Sequence, residues 1–449
     1  MNPQRGGGGQ AAQRRGSGFA LALVAPLAGG GTGLVVAMFR LALAAVDRWR
    51  GELIARAHQH HQAGLVLVVA GCAAAVALAA WLVRRFSPYA SGSGIPQVEA
   101  ALSGELPPAP PGLLPVKFLG GLLAIGAGMA LGREGPSVQM GAVVAHLVGR
   151  IARRPWPDLR VLLAAGAGAG LAVAFNAPIA GAVFVLEELV RRFEPRIAIA
   201  ALGASSTAIL VSRLFLGDAP DFQVAVSIKA AIATGPLPYA VAATWPLFVA
   251  MGLLAGLAAA LYSRTILAGL ALAERLGRWP VELQAGAIGA VVGVIAWFAP
   301  GLVGGGDQIT QRVLSGGAVL AMIPFAFVLR FFLGALCYAA RTPGGLFAPM
   351  LVLGAQLGLL CGALFRLAFP HLGIEPEAFA IVGMAAFFAG VVRAPVTGIV
   401  LATEMTGAFT TLLPMLAACF AAMLAANFLR TVPIYDALRE RLGQANAPR

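Results

Sequence analysis

Three short motifs of glycine and proline contain the residues whose types could do chemistry. They are Gly92–Pro96 (GSGIP), Gly132–Pro136 (GREGP) and Gly345–Pro349 (GLFAP). Glycines let the chain bend, and a proline in the first turn is typical of a helix start. A helix start presents free N–H groups and about half a positive charge. Several such ends that converge would bind an anion without a full cation, so the anion could leave again.

Glu134 lies in the second motif, at a helix start that favours an anion. Proton binding by Glu134 and anion binding would therefore not be independent. The alternative is that Glu134 only caps its helix. Two more acidic residues, Glu187 and Glu188, end an apolar segment. An acidic group deep in a bilayer costs about 2.5–3.5 kcal/mol on insertion scales. One of the two acids can therefore simply mark a helix end near water, and Glu187 is the residue suited to this role.

Long apolar blocks surround these motifs and must position them. Several blocks reach the roughly 20 residues that cross a bilayer as a helix. Outer-membrane strands would instead alternate apolar and polar residues over about 10 positions, and these blocks do not. The sequence therefore predicts an all-α polytopic membrane protein. The clearest blocks are Phe19–Val46, Ala63–Val83, Leu113–Leu131, Leu247–Leu261, Ala285–Phe298, Ala318–Ala340, Met350–Phe369 and Leu412–Leu429.

The composition excludes most soluble classes. Of 449 residues, 59% are hydrophobic and 11% are charged, with a mean hydropathy of +0.84. Soluble domains carry about 25% charged residues, so an ordinary cytosolic enzyme and a disordered scaffold are excluded. The net charge of +13 comes from arginine tracts between apolar blocks. Such tracts are better explained by a role in setting the membrane topology and in contacting anionic lipid headgroups than by nucleic-acid binding.

The four separated cysteines are expected to be buried apolar side chains, without a metal site or disulfide framework.

Segments of the first half of the chain match segments of the second half in the same order. Internal repeats with short helices interrupted by glycine and proline are typical of transporters, whose substrate site lies between the repeats. The sequence thus predicts half-helices that meet in the middle of the bilayer. Glu187 and Glu404 follow one pair at the same offset, and Glu404 is expected to be structural. The pairs are Phe175–Gly181 with Val392–Gly398 (offset 217), Gly132–Pro136 with Gly345–Pro349 (213) and Gly92–Gly94 with Gly304–Gly306 (212).

Together with Gly170–Glu188 and the terminal Val432–Tyr435, the three motifs resemble the CLC family of chloride channels and chloride/proton antiporters. The resemblance covers roughly residues 18–440, in the family's order and spacing. It implies two inverted-topology repeats with broken helices that meet at the membrane midplane. It also implies a homodimer with one pore per subunit, no cofactor and no enzymatic activity. The bias towards arginine and the lack of a cytosolic regulatory domain favour a bacterial inner (plasma) membrane.

The resemblance also implies which groups bind chloride. These are the hydroxyl groups of Ser93 and Tyr435 and the backbone amides placed at Leu346 and Phe347. Such neutral donors suit a weakly held anion, because they replace its water without adding a full charge. Ser93 can cap its helix at the same time, and the alternative for Tyr435 is a tyrosine at the membrane interface.

In the family, the glutamate that matches Glu134 is the gate: ionised, it occupies an anion site, and protonated, it swings out. The residue that matches Glu188 passes protons towards the gate on a separate path. Passive channels of the family commonly lack an acid there, so Glu188 favours exchange of chloride for protons. Lys117 matches a lysine near the pore entrance and Arg133 flanks the gate, and both are expected to act through their field. Fluoride-exporting members lack the tyrosine ligand, so chloride is the expected anion.

Three alternatives stay open. The first is a passive voltage- or pH-gated chloride channel of the same fold. The second is an intramembrane serine hydrolase that uses Ser93 with His146, although His146 is better explained as a satisfied core histidine. The third is a cation transporter built on the acidic pair. The predicted organisation is a flexible basic tail (1–17), membrane repeat 1 (18–225), a connector (226–245), membrane repeat 2 (246–440) and a short tail (441–449).

Overall fold

The computed structural model describes residues 7–224 and 237–446. Within these ranges the chain is helical, and β-type pairing is limited to two isolated bridges. The α-helices, numbered in chain order, are α1 Gly7–Ala57, α2 His61–Phe86, α3 Ile95–Ser103, α4 Leu113–Gly126, α5 Glu134–Ile151, α6 Trp156–Phe175, α7 Pro178–Phe184, α8 Pro195–Leu216, α9 Leu237–Arg275, α10 Val281–Phe298, α11 Asp307–Leu314, α12 Ile323–Ala339, α13 Phe347–Ala368, α14 Pro376–Val392, α15 Pro395–Thr406, α16 Leu412–Phe428 and α17 Ile434–Asn446.

Eight helical segments of the described ranges are long and apolar enough to cross a membrane, which confirms the predicted polytopic class. Large apolar side chains such as Leu27, Leu214 and Phe420 are exposed on the outer helices, as lipid contact requires. By contrast, α6 and α13 are enclosed by protein along most of their length. These two helices form the centre of the molecule, against which the predicted site residues pack.

The helices repeat in the same order, α1 to α8 and then α9 to α16. In both repeats a long first helix is followed by a short one, α3 or α11, and by a central pair, α5 with α6 or α13 with α14. The central pairs touch through glycines: a Cβ on Gly141 would lie 2.2 Å from the Gly166 oxygen, and one on Gly354 would lie 2.4 Å from the Gly383 oxygen. Small residues allow such close helix contact in membranes. The predicted repeat architecture is confirmed.

The two repeats cap each other's helices. The Glu187 carboxylate, which follows α7, accepts hydrogen bonds from the backbone N–H groups of Val396 and Thr397 at the start of α15. In return, the Glu404 carboxylate on α15 accepts hydrogen bonds from the N–H groups of Ile179 and Ala180 at the start of α7. Each acid thus stabilises the positive end of its partner's helix. The predicted structural role of Glu404 is confirmed, and Glu187 shares it.

The glycine motifs pair with one another where the repeats meet. Gly132 donates its N–H to the Gly345 oxygen at 2.9 Å, and Gly345 donates to the Gly132 oxygen at 2.7 Å. Gly344 donates to the Gly92 oxygen at 3.1 Å, and Gly92 donates to Thr342. These bonds satisfy non-helical backbone inside the protein, which is where a membrane protein tolerates it.

All three motifs begin helices as predicted, but two of these helices are longer than the half-helices expected. α5 has 18 residues and α13 has 22, and α3 alone is short with nine. The segment 138–148, which is too short to cross a bilayer by itself, is extended at its start by Glu134 and the polar Ser137, which are buried among protein groups. Polar residues in the first turn can continue an apolar helix when the protein surrounds them.

The ends and the connector also differ from the expected organisation. Residues 1–6, 225–236 and 447–449, which belong to the predicted tails and connector, lie outside the described residues. α1 is already helical from Gly7, within the predicted N-terminal tail, since a helix propagates more easily than it nucleates. α9 begins at Leu237, within the predicted connector. Residues 441–446 belong to α17, where Arg441 pairs with Glu274 on α9 at 2.8 Å.

Candidate functional site

The Glu134 carboxylate lies where α5 of one repeat meets the start of α13 of the other. It is fully buried, and its Oε1 accepts a hydrogen bond from the Ala348 N–H at 3.2 Å. Glycines enclose it: a Cβ on Gly132 would lie 2.0 Å from Oε2, and one on Gly345 would lie 2.4 Å from Oε1. Any side chain at these two positions would collide with the carboxylate. The motif glycines therefore make room for Glu134 at a helix start.

The hydroxyl groups of Ser93 and Tyr435 lie near each other, and both residues are buried. Neither oxygen has a hydrogen-bond partner of normal geometry among the described residues. Leaving a buried hydroxyl unsatisfied costs about 1–3 kcal/mol, so both groups are available for a ligand. A Cβ on Gly135 would lie 2.4 Å from Ser93 Oγ, which places Ser93 against the start of α5, beside Glu134.

Leu346 and Phe347 bring the start of α13 to the same place. Both residues are fully buried, and their N–H groups have no acceptor within their own helix because they lie at its start. The Phe347 ring packs on the Tyr435 ring, with centroids 6.0 Å apart and planes inclined by 29°. The structure thus brings the four predicted chloride ligands together beside Glu134.

Lys117 contacts the chain that leads to Ser93. Its fully buried ammonium group donates to the Ala90 oxygen at 3.0 Å and to the Gly92 oxygen at 2.8 Å. This corrects the expectation that Lys117 acts through its field rather than by contact, since a buried cation needs acceptors. Its counterpart in the second repeat, Arg330, donates to the oxygens of residues 302, 304 and 305 in the same way. One buried cation therefore holds the glycine loop of each repeat.

Glu188 lies apart from these ligands, in a single π-helical turn, Val185–Leu189, that follows α7. Its side chain is 3% exposed, and Oε1 lies 3.4 Å from Arg191, which also pairs with Asp436 at 2.6 Å. Single π turns often occur at functional sites. Glu188 lines a cavity of about 530 Å³, hereafter the Glu188 cavity, whose other walls include Glu187, Arg191, Arg393, Pro433 and Asp436.

A second cavity, of about 260 Å³, reaches the backbone around Glu134. We call it the gate cavity, because its wall includes Gly132 and Ala348, which enclose the carboxylate. The Arg133 guanidinium on its wall is paired with two carboxylates, so here too the expectation of action through field alone is incomplete. The charged residues of this wall are Arg40, Asp47, Arg50, Arg133 and Asp307.

The sequence reasoning missed Glu99. This residue is 1% exposed on α3, and neither of its carboxylate oxygens has a hydrogen-bond partner in the described chain. Its charged neighbours include Glu188, Arg191 and Asp436. The available signal was a single charged residue inside a short helix that begins at a site motif.

The remaining candidates do not form a hydrolase or metal site in the described ranges. His146 lies 11 residues beyond Gly135 on α5, about 16 Å along the helix from the end that touches Ser93. It is only partly buried, which corrects the expected core histidine. The described residues contain no group of three potential metal-binding side chains. All four cysteines are buried and unpaired, as expected.

Similar proteins support one family. The "H(+)/Cl(-) exchange transporter ClcA" of Cronobacter sakazakii is 38% identical over 427 residues, 93% of this chain and 89% of its own. The protein of the same name from Salmonella arizonae is 36% identical, over 96% and 90% of the two chains. The crystal structure of a slow cyanobacterial Cl⁻/H⁺ antiporter superposes with a TM-score of 0.88 at 32% identity, over 95% and 98% of the two chains.

More distant structures share the fold. A eukaryotic CLC transporter gives a TM-score of 0.78 at 24% identity, over 95% of this chain and 74% of its own. The family model described as voltage gated chloride channel matches residues 75–427. This range contains every predicted site residue except Tyr435. The chain therefore belongs to the voltage-gated chloride channel, or CLC, family.

Proposed function

We propose that this membrane protein exchanges chloride for protons. The observation that carries the proposal is the position of the Glu134 carboxylate at the start of α13, directly beside the neutral donors of the site. An anion that took this position would compete with the ionised carboxylate. Protonation of Glu134 would remove the competing charge, so the occupancies of proton and anion are linked. The names of the bacterial relatives support exchange.

Chloride is held by hydroxyl and amide groups in this mechanism. Ser93 Oγ, Tyr435 Oη and the backbone N–H groups of Leu346 and Phe347 replace part of its water. A bare ion in a low-dielectric interior would be far too costly without such donors. Since none of the four groups carries a full charge, chloride binds weakly enough to leave.

Protons reach Glu134 by way of Glu188. The Glu188 side chain lines the Glu188 cavity, which gives the carboxyl group access to water. The π turn that carries Glu188 directly follows α7, whose residues are largely buried. The cavity is separate from the gate cavity in its lining residues. Two separate approaches allow protons and chloride to share Glu134 without sharing the whole path. Glu188 thus favours an exchanger over the passive channel.

The decisive experiment measures chloride release and external pH together, with purified protein in liposomes. We expect a chloride gradient to drive protons in the opposite direction to chloride. Glu134→Ala should keep chloride flux and lose proton movement, because the carboxylate that links the two occupancies is gone. Chloride flux without proton movement in the unaltered protein would make it a channel, and proton pumping by Glu134→Ala would remove Glu134 as the gate.

We also propose a homodimer in a bacterial inner membrane. The support is the family resemblance for the dimer, and the bacterial origin of the similar transporters for the location. Light scattering of the purified protein in detergent should give twice the chain mass of 45.8 kDa after subtraction of the detergent. A particle with the mass of a single chain would contradict the dimer.

A further inference from the structure

The Arg133 guanidinium, one residue before Glu134, is held by three acceptors. Nη1 donates to Asp307 Oδ2 at 2.8 Å and Nη2 donates to Asp221 Oδ2 at 3.0 Å. Nε donates to the Ala174 oxygen near the end of α6, at 3.0 Å. Charge-assisted bonds of this kind are about twice as strong as neutral ones. Arg133 is therefore fixed from three directions.

The network continues to α1. Asp221 Oδ1 accepts a hydrogen bond from Arg40 Nη2 at 2.8 Å, and Arg40 Nη1 donates to the Val173 oxygen at 2.6 Å. The chain of contacts is thus Arg40–Asp221–Arg133–Asp307, with two positive and two negative groups. It joins α1, the segment after α8, the start of α5 and the start of α11, so it links both repeats.

The network forms part of the wall of the gate cavity, beside the residues that enclose Glu134. Three of its members, Arg40, Arg133 and Asp307, line that cavity. Asp221 is 8% exposed, whereas Asp307 is 44% exposed at the cavity wall. An unpaired guanidinium at this place would have two other partners: an anion in the cavity, and the carboxylate of the neighbouring Glu134 once it has left its glycine enclosure.

We propose that Asp307 and Asp221 are positioning residues for the exchange, which keep Arg133 paired so that it captures neither the entering anion nor the displaced Glu134 carboxylate. The inference rests on the proposed exchange function. Arg133 could bind either partner as tightly as it binds Asp307, and a tightly held intermediate slows a transport cycle. Because Asp221 is shared with Arg40, Asp307 completes the pairing of Arg133 and keeps the cavity wall free of an unpaired cation next to the gate.

The test uses Asp307→Asn, which keeps the side-chain size but removes the charge. We expect the chloride concentration for half-maximal exchange to fall by about tenfold, because a charge-assisted hydrogen bond passes from Asp307 to the anion. The maximal exchange rate should fall as well, since this binding stabilises an intermediate and not the rate-limiting step. The ratio of protons to chloride should stay unchanged. Both parameters come from chloride titrations in liposomes.

The matched control is Asp47→Asn. Asp47 lines the same gate cavity, but it pairs with Arg50 and Gln308 rather than with Arg133. The substitution Asp47→Asn therefore removes the same charge from the same cavity while Arg133 stays paired. Asp307→Glu, which restores the carboxylate, should return both parameters towards those of the unaltered protein. Asp221→Asn must move both parameters in the same direction as Asp307→Asn.

Three results would overturn the inference. The first is that Asp307→Asn leaves both parameters unchanged, and the second is that it raises the chloride concentration for half-maximal exchange. The third is that Asp307→Asn and Asp47→Asn change the parameters equally, which would mean that only the total charge of the cavity matters. Asp307 is partly exposed, so the variant should fold, and its elution and thermal unfolding check this. If the unaltered protein moves no protons, the proposed function has failed. If it exchanges normally while Asp307→Asn behaves as Asp47→Asn, the positioning role alone has failed.

Discussion

Buried carboxylates with few donors are the chemical groups that distinguish this protein from a simple helix bundle. Glu134 accepts one backbone hydrogen bond at Oε1, and Oε2 has no partner in the described chain. Among the described residues, Glu99 has no hydrogen-bond partner at either oxygen, and the Glu188 carboxylate has one long contact with Arg191. An ionised carboxylate is costly to bury without donors. Such a carboxylate either binds a proton and becomes neutral or pairs with a cationic group. This ability to change its protonation state is the property that an exchanger needs.

Glu188→Gln should stop proton movement while chloride still passes. Glutamine keeps the size and polarity of the side chain but cannot release a proton, and the chloride ligands are left intact. The measurement is simultaneous recording of chloride and pH in liposomes. Glu404→Gln is the control, because this acid caps α7 and has no place in the proton path. Unchanged proton movement in Glu188→Gln would contradict the relay role.

The site motifs could be predicted because glycine, proline and acid types carry local signals, but the Arg133 network could not. Its ion pairs join residues 88 to 181 positions apart in the chain, which no periodicity marks. Glu99 was missed for a different reason: its acidic side chain is significant only because α3 is enclosed by protein. Burial of this kind depends on packing between helices that the sequence does not show.

Two helices, α3 and α17, each begin near one of the two hydroxyl groups that we propose as chloride ligands. Ser93 precedes α3, and Tyr435 is the second residue of α17. Beyond these ligands, Arg439 on α17 forms a bidentate ion pair with Glu105, just after α3, and donates to Ser103 Oγ at 2.8 Å. This fork ties the C-terminal end of α3 to the second turn of α17, about one turn beyond Tyr435. It therefore helps to set the distance between Ser93 and Tyr435.

Glu105→Gln should weaken chloride binding by up to about fivefold, since exposed ion pairs are worth about 0.2–1 kcal/mol. Calorimetric titration with chloride at neutral pH measures the loss. The Arg439 hydrogen bonds hold the pKa of Glu105 below its usual value. The pair therefore contributes at neutral pH, and its contribution disappears only as the pH falls through that lowered pKa.

Glu274→Gln is the control for this prediction. It breaks the pair of Glu274 with Arg441, which ties α17 to α9 and not to α3. Chloride affinity should therefore change less than in Glu105→Gln. Equal losses in the two variants would mean that α17 only needs to be attached, and that the tie to α3 has no special part in aligning the hydroxyl groups.

At the scale of the whole molecule, the repeats share a scaffold but not a chemistry. Both have the same order of helices, the same glycine contacts and one buried cation per glycine loop. The site residues break the symmetry, because their counterparts in the other repeat are of different types. At the repeat offsets, Ser93 corresponds to Gly305, Glu134 to Phe347 and Glu188 to Met405. The fold therefore does not require the three acidic or hydroxyl side chains, which supports their assignment to transport.

The acids that the scaffold does require are those conserved between its two halves in this chain, Glu187 and Glu404. Replacing either by glutamine should lower the free energy of unfolding by about 1–2 kcal/mol, because each caps a helix start with two charge-assisted bonds. Glu187→Gln should cost more, since its Oε2 also accepts a hydrogen bond from Thr397 Oγ1 at 2.7 Å. Thermal unfolding in detergent measures both.

Glu194→Gln provides the comparison. Glu194 directly precedes α8, but its side chain makes no cap and pairs with Arg192 instead. Its replacement should change the stability by less than about 0.5 kcal/mol, as surface substitutions usually do. If only one of the two cap variants were destabilised, the mutual capping would not be a shared support of the repeats. Losses in both, with Glu187→Gln the larger, would show that each half of the molecule is stabilised by an acid from the other half.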